Sequence, residues 1–220
     1  MIELPDFKKC FEHENGFYLT TDVTRLGKVL AHYELFMMVN ELPGAVVECG
    51  VFKGASIARF ATFRHLFSIA QSKKIIGFDT FGTFPETMFE DDKKDRDRFI
   101  GAAGDQSISE EQMMTVLKHK KCDENVELVK GDICLTVPEY VKKHPELRIS
   151  LLNLDTDIYE PSVTILEYLY PRIVKGGILI LDDYAEWPGE TKAVDDYFKD
   201  QNVIIQKFPF CQFPSYIIKE

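Results

Sequence analysis

The 220-residue sequence offers little that would tie it to a membrane, to secretion or to nucleic acid. No stretch approaches the ~20 apolar residues of a membrane-spanning helix. The opening Met1-Ile2-Glu3-Leu4-Pro5-Asp6 lacks the basic and apolar regions of a secretion signal. Cysteine is sparse, and Cys10, Cys49, Cys122, Cys134 and Cys211 are odd in number and never in C-x-x-C spacing, which indicates neither a disulfide framework nor a structural zinc site. Basic residues are outnumbered 36 to 26, for a formal net charge of −10 and a pI near 5.1. Such a balance argues against a surface built to hold phosphate backbones. Of the five histidines, His32, His65, His119 and His144 fall inside helical patterns, where a surface place is expected. The chain is therefore expected to be cytoplasmic, with neither membrane nor nucleic acid as partner.

What is present is an ample core. Apolar residues make up 45% of the sequence, and a chain of this length buries roughly 70% of the surface its unfolded form exposes. With no internal repeat, linker or low-complexity tract, residues 1–220 are expected to form one domain.

Apolar residues from Thr24 to Glu41 recur at mostly helical spacing and stop at Pro43-Gly44, predicting a leading helix. Ala45 to Cys49 then reads as a strand, Gly50 to Ser56 as a glycine turn, and the stretch to about Ser72 as a helix. Lys74 to Phe78 repeats the strand pattern. Thr80 to Gln106 breaks the alternation with Phe, Gly and a charge run centred on Glu90–Arg98, expected to be a solvated face, while an insertion of this size suits a lid over a site. Ser109 opens a helix that ends in Lys118-His119-Lys120-Lys121, as the helix dipole prefers. Strands over 126–129, 149–154 and 177–181 then alternate with helices over 136–143, 161–169 and 190–199, followed by late strands at 203–206 and 216–218. Repeated β–α alternation predicts an α/β fold with a doubly wound, mostly parallel sheet and helices on both faces.

In such sheets ligands bind beyond the carboxyl ends of the strands. Those ends carry Glu48, Asp79, Gly131-Asp132, Asp155 with Asp157, and Asp182-Asp183. Any one of these acids could simply cap a helix; five in succession suggest a site. The turn Glu48-Cys49-Gly50-Val51-Phe52-Lys53-Gly54-Ala55-Ser56 is neither G-x-G-x-x-G nor G-x-x-x-x-G-K-[ST], so neither a dinucleotide nor a nucleoside triphosphate is indicated. It fits a turn holding an amino-acid carboxylate and ammonium, with Asp79 taking the ribose hydroxyls of an attached nucleoside. S-adenosylmethionine is such a molecule. Asp132 is placed either to accept from its adenine or to cap the next helix, and Lys53 is expected to be solvated.

The second constellation is Leu154-Asp155-Thr156-Asp157 and Leu181-Asp182-Asp183-Tyr184. If the two strands pair, their ends lie ~5 Å apart. Carboxylates that close repel, and a hard divalent cation is their natural neutraliser. Oxygen-only donors suit Mg2+ better than zinc, for which no His or Cys cluster exists. A cation beside a methyl donor would hold an acceptor hydroxyl, and Asp157 is placed either as its general base or as the cap of the following helix.

These motifs together resemble the macrocin O-methyltransferase family. The resemblance runs from about Leu26 to Phe198 through Val47–Ser56, Gly77-Phe78-Asp79-Thr80-Phe81, Gly131-Asp132 with Thr136-Val137-Pro138, Leu154–Glu160, Asp182-Asp183-Tyr184 and Lys192-Ala193-Val194-Asp195. It implies a Rossmann-like class I methyltransferase fold and methylation of a sugar or sugar-like natural-product hydroxyl, with S-adenosylmethionine and Mg2+. By position, the metal ligands fall on Asp155, Asp182 and Asp183 and the general base on Asp157. The cofactor positions fall on Glu48, Gly50, Gly54, Ser56, Asp79 and Asp132. The resemblance also implies a small-molecule acceptor and a homodimer or higher homo-oligomer, with the leading helix and the 80–106 insertion as contact or lid elements. Phe81-Gly82-Thr83-Phe84-Pro85 departs from the family pattern by lacking an acidic residue. A catechol-type O-methyltransferase, with Trp187 and Tyr184 as an aromatic clamp, and a non-catalytic protein on the same scaffold are the alternatives.

Overall fold

The computed structural model describes residues 2–220. Five adjacent parallel strands make up most of the sheet: β1 (Ala45–Cys49), β2 (Ile75–Asp79), β3 (Val126–Lys130), β4 (Ile149–Leu154) and β5 (Ile173–Leu181). Two short antiparallel strands, β6 (Gln206–Lys207) and β7 (Ser215–Ile218), complete the order β3-β2-β1-β4-β5-β7-β6. Order reverses between β1 and β4, so the crevice for a ligand lies over their carboxyl ends. Every residue of β1, β2 and β4 is buried, as expected for strands covered on both faces.

Among the described residues, eight α-helices accompany the sheet: α1 (Cys10–Thr20), α2 (Val23–Val39), α3 (Ala55–Phe67), α4 (Glu90–Ala103), α5 (Glu110–His119), α6 (Ile133–Lys143), α7 (Tyr159–Tyr168) and α8 (Pro188–Phe198). One face of the sheet packs Val46, Leu151, Ile178 and Ile180 against Leu35 and Phe36 of α2 and Ile57 and Phe60 of α3. The other packs Val47, Cys49, Leu152 and Leu181 against side chains of α6, α7 and α8 such as Val137, Leu166 and Val194. Alternation along β1 thus sends Val46 and Glu48 to one side and Val47 and Cys49 to the other.

The leading helix, the helix behind the glycine turn and the helix opened by Ser109 stand where the residues place them, and Ser109 and Gln112 close a reciprocal capping box at the start of the last. Helix α1 was not expected, for a simple reason. None of its residues is buried, so it carries no apolar period to read.

The charge run of the insertion is solvated only in part. It forms α4, which turns Asp92 and Arg96 inward at i and i+4, while Asp91, Lys93, Lys94, Asp97 and Arg98 face solvent. Arg96 donates to the carbonyls of Pro85 (2.7 Å) and Phe84 (3.2 Å), which fixes the loop ahead of the helix. Asp92 accepts from the backbone N–H groups of Tyr159 (2.9 Å) and Gly189 (2.7 Å), the first turns of α7 and α8. In return Glu160, on α7, accepts from the N–H groups of Met88 (2.7 Å) and Phe89 (3.1 Å). The insertion is stapled to the two helices that leave the acidic strand ends. Among the described residues, no helix is long and apolar enough to cross a membrane.

Candidate active site

A cavity of about 640 Å3 opens over the carboxyl ends of β1, β2, β4 and β5. Gly50, Ser56, Asp79, Asp132, Asp155, Asp157, Asp182 and Asp183, all singled out in the sequence, lie in its walls. Glu48 and Gly54 do not.

The floor is the turn after β1. Gly50 N–H donates to Phe78 O (2.9 Å), and Asp155 N–H donates to Cys49 O (3.0 Å), so the turn is tied to both neighbouring strands at the point where sheet order reverses. Gly50 has φ +94°, and a Cβ there would stand 1.6 Å from the carbonyl oxygen of Asp155. Glycine is needed at this position as much for the crossing of two backbones as for a ligand. Gly54, at φ +83°, is the N-cap of α3 and supplies no side-chain cap. The first N–H groups of that helix, at the cavity wall formed by Ala55 and Ser56, are left for an anion.

Asp79 staples this turn. Its Oδ2 accepts from the N–H groups of Val51 (2.9 Å) and Phe52 (3.0 Å), and its Oδ1 accepts from Phe81 N–H (2.6 Å) and, at 3.4 Å, from the Thr80 hydroxyl. These bonds take up most of the roughly four acceptor sites of a carboxylate. Asp132 takes the capping role. Its Oδ1 caps α6 through Cys134 N–H (2.8 Å), and the residue also lines the cavity. Lys53, expected to be solvated, donates from an exposed position to the carbonyl of Ala103 (2.6 Å).

The acidic strand ends do meet. β4 and β5 pair with Leu154 opposite Leu181, and Asp182 N–H donates to Leu154 O (3.0 Å). Asp155, Asp157 and Asp183 each present an oxygen within 4.8 Å of the others. Burial, followed by the neighbouring carboxylates, raises the Asp155 and Asp183 carboxyls well above the usual range. Burial and then Asp155 push Asp157 up to about 7. Asp157 also has φ +64°, a conformation Asp tolerates better than most residues but one that needs support. The support comes from its own carbonyl, which accepts from Glu190 N–H (3.2 Å).

Asp182, in the same cavity wall, has partners on α2. Its Oδ2 accepts from the ammonium of Lys28 on α2, and its Oδ1 lies 3.7 Å from His32 Nε2. Burial would raise Asp182, but Lys28 and then His32 hold its carboxyl below the usual carboxylate range. His32 is not at the surface, as its helical setting suggested, but is fully buried, and burial pushes it down to about 4. Arg59 Nη1 stands 3.0 Å from His32 Nδ1. Arginine can only donate, so Nδ1 is the acceptor and the ring proton sits on Nε2, toward Asp182.

Glu48, expected among the cofactor contacts, is instead fully buried on the α2 and α3 side of the sheet beside its β4 neighbour Asn153, and neither side chain has a hydrogen-bond partner among the described residues. Burial, then Asp155, raises the Glu48 carboxyl well above its ordinary value. The correction follows from strand alternation, which aims residue 48 into the layer beneath the cavity rather than into it.

Sequence reasoning passed over Arg25 and Lys28, which line the cavity from α2, and, of the cavity's aromatic wall, named only Trp187. That wall is Phe84, Phe99 and Trp187, with Phe99 5.7 Å from Phe84 and edge-on to Trp187 at 6.0 Å. Tyr184 is not part of it. Its hydroxyl donates to Asp195 (2.8 Å), and its ring packs on the core. Lys28 had a legible signal: with His32, Leu35 and Val39 it sits on the apolar stripe of α2, where a charge needs a partner.

The family model for Macrocin-O-methyltransferase (TylF) matches residues 20–208, nearly the whole of this architecture. The chain belongs to the macrocin O-methyltransferase family. The 8-demethyl-8-(2,3-dimethoxy-alpha-L-rhamnosyl)-tetracenomycin-C 4'-O-methyltransferase of Streptomyces olivaceus is 30% identical over 152 residues, 68% of this chain and 56% of that protein. The demethyldecarbamoylnovobiocin O-methyltransferase of Streptomyces niveus is 27% identical over 160 residues, 72% of this chain and 59% of that protein. The chain thus spans less than two thirds of the length of either relative. Among solved structures, a calicheamicin methyltransferase superposes with a TM-score of 0.77 at 28% identity, covering 95% of this chain and 85% of that one. The doubly wound α/β sheet expected from the β–α order is thus the Rossmann-like class I methyltransferase fold that the family resemblance implied.

Proposed function

We propose that this chain methylates a hydroxyl of a sugar or sugar-like natural-product acceptor, using S-adenosylmethionine and a divalent cation, Mg2+. The observation that carries the reading is the convergence of Asp155, Asp157 and Asp183 at one end of a cavity whose other end is the glycine turn and the open N-terminus of α3. The donor set fits a hard cation. All its atoms are carboxylate oxygens, and their mutual repulsion is relieved only at the edge of the cluster, where the ammonium of Lys28 lies 3.9 Å from Asp155.

When bound, the cofactor supplies an electrophilic methyl on sulfur and the cation supplies a Lewis acid that orients and acidifies the acceptor hydroxyl. The residues of the chain do the rest. The free N–H groups at Ala55 and Ser56, and the guanidinium of Arg25, take the carboxylate of the amino-acid moiety. Asp79 orders the turn and takes a ribose hydroxyl on Oδ1, where its bond from Thr80 is long, and Asp132 faces the adenine. Asp155 and Asp183 hold the cation in either of two sets, completed by Asp182 as the sequence suggests or by Asp157 as the side chains stand. Asp157 is proposed as the base: it accepts the hydroxyl proton as the oxygen forms its bond to the methyl carbon and the carbon–sulfur bond breaks. The aromatic wall of Phe84, Phe99 and Trp187 is proposed to stack on the acceptor.

That wall also favours a second reading, a flat aromatic diol as acceptor. A panel of deoxysugar diols and catechols, assayed for methyl transfer with and without Mg2+, separates the two. Calorimetric titration with S-adenosylmethionine tests the common premise, and absence of binding at high micromolar concentration would remove both. A homo-oligomer is proposed as well, on the strength of α1, which buries nothing and leaves Phe11, Tyr18 and Leu19 more than half exposed. Light scattering at a monomer mass would count against it.

A further inference from the structure

We propose that Lys28 is the resident cation of the acidic cluster, holding Asp182 in the metal-free protein, and that a divalent cation must displace it. The proposal rests on the reading of Asp155, Asp157 and Asp183 as a cation site. It adds a residue of this chain that governs how readily the site fills.

Four carboxylates, those of Asp155, Asp157, Asp182 and Asp183, gather at the ends of β4 and β5. One ammonium meets them. Lys28 Nζ bonds Asp182 Oδ2, lies 3.9 Å from Asp155 Oδ2, and is shielded by the face of Phe213 at 5.7 Å, with only 12% of its side chain exposed. The remaining oxygen of Asp182, Oδ1, is buried without a hydrogen-bond partner and faces the neutral ring of His32 at 3.7 Å. Lys28 therefore gives Asp182 its only full counter-charge among the described residues. The three carboxylates whose oxygens lie within 4.8 Å of one another are Asp155, Asp157 and Asp183, so with Lys28 in place Asp182 is not among the converging group.

A divalent cation on Asp155 and Asp182 would stand within a few ångströms of Nζ, where its repulsion of the ammonium is twice that between two unit charges. Both cannot keep the same two carboxylates. Departure of Nζ frees Asp182 to become a ligand, and Asp157 is then released from the cluster for its proposed work as base. Lys28 thus protects the cluster from uncompensated charge when no metal is present, at the expense of metal affinity. Removing a partner from a buried ion pair destabilises through the charge left behind. A ligand that restores the charge should return that stability by mass action.

The experiment compares wild type, Lys28→Met and Lys28→Arg by thermal unfolding with and without MgCl2, and by Mn2+ titration followed by electron paramagnetic resonance. Lys28→Met is expected to melt lower than wild type without metal, to gain several times more in Tm from Mg2+, and to bind Mn2+ on the order of tenfold more tightly. Lys28→Arg should stay close to wild type. Equal or weaker Mn2+ binding by Lys28→Met, with wild type binding normally, overturns the displacement. Absence of Mn2+ binding and of any Mg2+ effect in all three proteins instead overturns the cation site itself. Should Lys28→Met fail to fold, wild type labelled with 13C at lysine Cε decides: the Lys28 resonance must move as Mg2+ saturates, and a stationary resonance during saturation refutes the proposal.

Discussion

Removal of the Asp92 carboxylate should loosen both helices that leave the acidic strand ends. Asp92 is fully buried, and its two oxygens take separate donors, Oδ2 from Tyr159 N–H and Oδ1 from Gly189 N–H. In Asp92→Ala both donors lose a charged acceptor. The Gly189 N–H is buried and meets the full desolvation cost of about 1–3 kcal/mol, whereas the Tyr159 N–H is partly accessible and water recovers some of its loss. Burial works against the carboxylate and raises its pKa, so part of the loss is offset when the charge disappears. The net expectation is about 2–4 kcal/mol, a large part of the ~5–15 kcal/mol of a domain, and roughly 5–15 °C in Tm. Asp92→Asn keeps one carbonyl oxygen for two diverging donors and should lose about half as much. Urea unfolding gives the free energies, and trypsin gives the location, since Lys93, Lys94 and Arg98 on the outer face of α4 should be cut sooner in the variant. An Asp92→Ala protein within about 0.5 kcal/mol of wild type would refute the staple.

The other expectations follow from single contacts. Gly50→Ala places a methyl against the Asp155 carbonyl in a left-handed conformation, and should abolish S-adenosylhomocysteine binding and metal binding together, measured by calorimetry. Asp157→Asn should keep cofactor affinity while kcat falls roughly 10²- to 10⁴-fold, and near-normal turnover would remove it as base. Lys73, which is 1% exposed and donates to Val39 O (3.1 Å), Leu42 O (3.0 Å) and Ser150 Oγ (3.1 Å), is pushed down to about 8 by burial. Above that pH the folded protein releases a proton that the unfolded chain keeps to about 10.4, so the unfolded state binds more protons and stability rises with pH. The stability difference between wild type and Lys73→Met, followed by urea unfolding from pH 7 to 10, should therefore grow above pH 8; a flat difference would show that the lysine titrates normally.

How far the sequence could be read depended on whether the relevant forces were local. Strand and helix periods, the glycine turn, the helix start at Ser109 and the row of acids at strand ends are written in residues a few positions apart. They fixed the sheet, the crevice and most of the cavity's floor. Lys28 and Asp182 are 154 residues apart, and Asp92 joins Tyr159 and Gly189 across 67 and 97. Spacing alone cannot show such pairs. Glu48 is the instructive miss: its place at the end of a strand was legible, but its side was decided by the alternation of β1 inside a sheet covered on both faces.

The sequence by itself thus determined that carboxylates gather at the ends of paired strands, because β–α order places the carboxyl ends of the five parallel strands on one edge. The tertiary structure decided how those carboxylates divide. Asp155, Asp157 and Asp183 converge and carry raised pKa values, while Asp182 turns to an ammonium from α2. The physical reason is charge in a buried place: four acids that close cannot all remain unpaired, and which one is neutralised depends on the helix packed beside it.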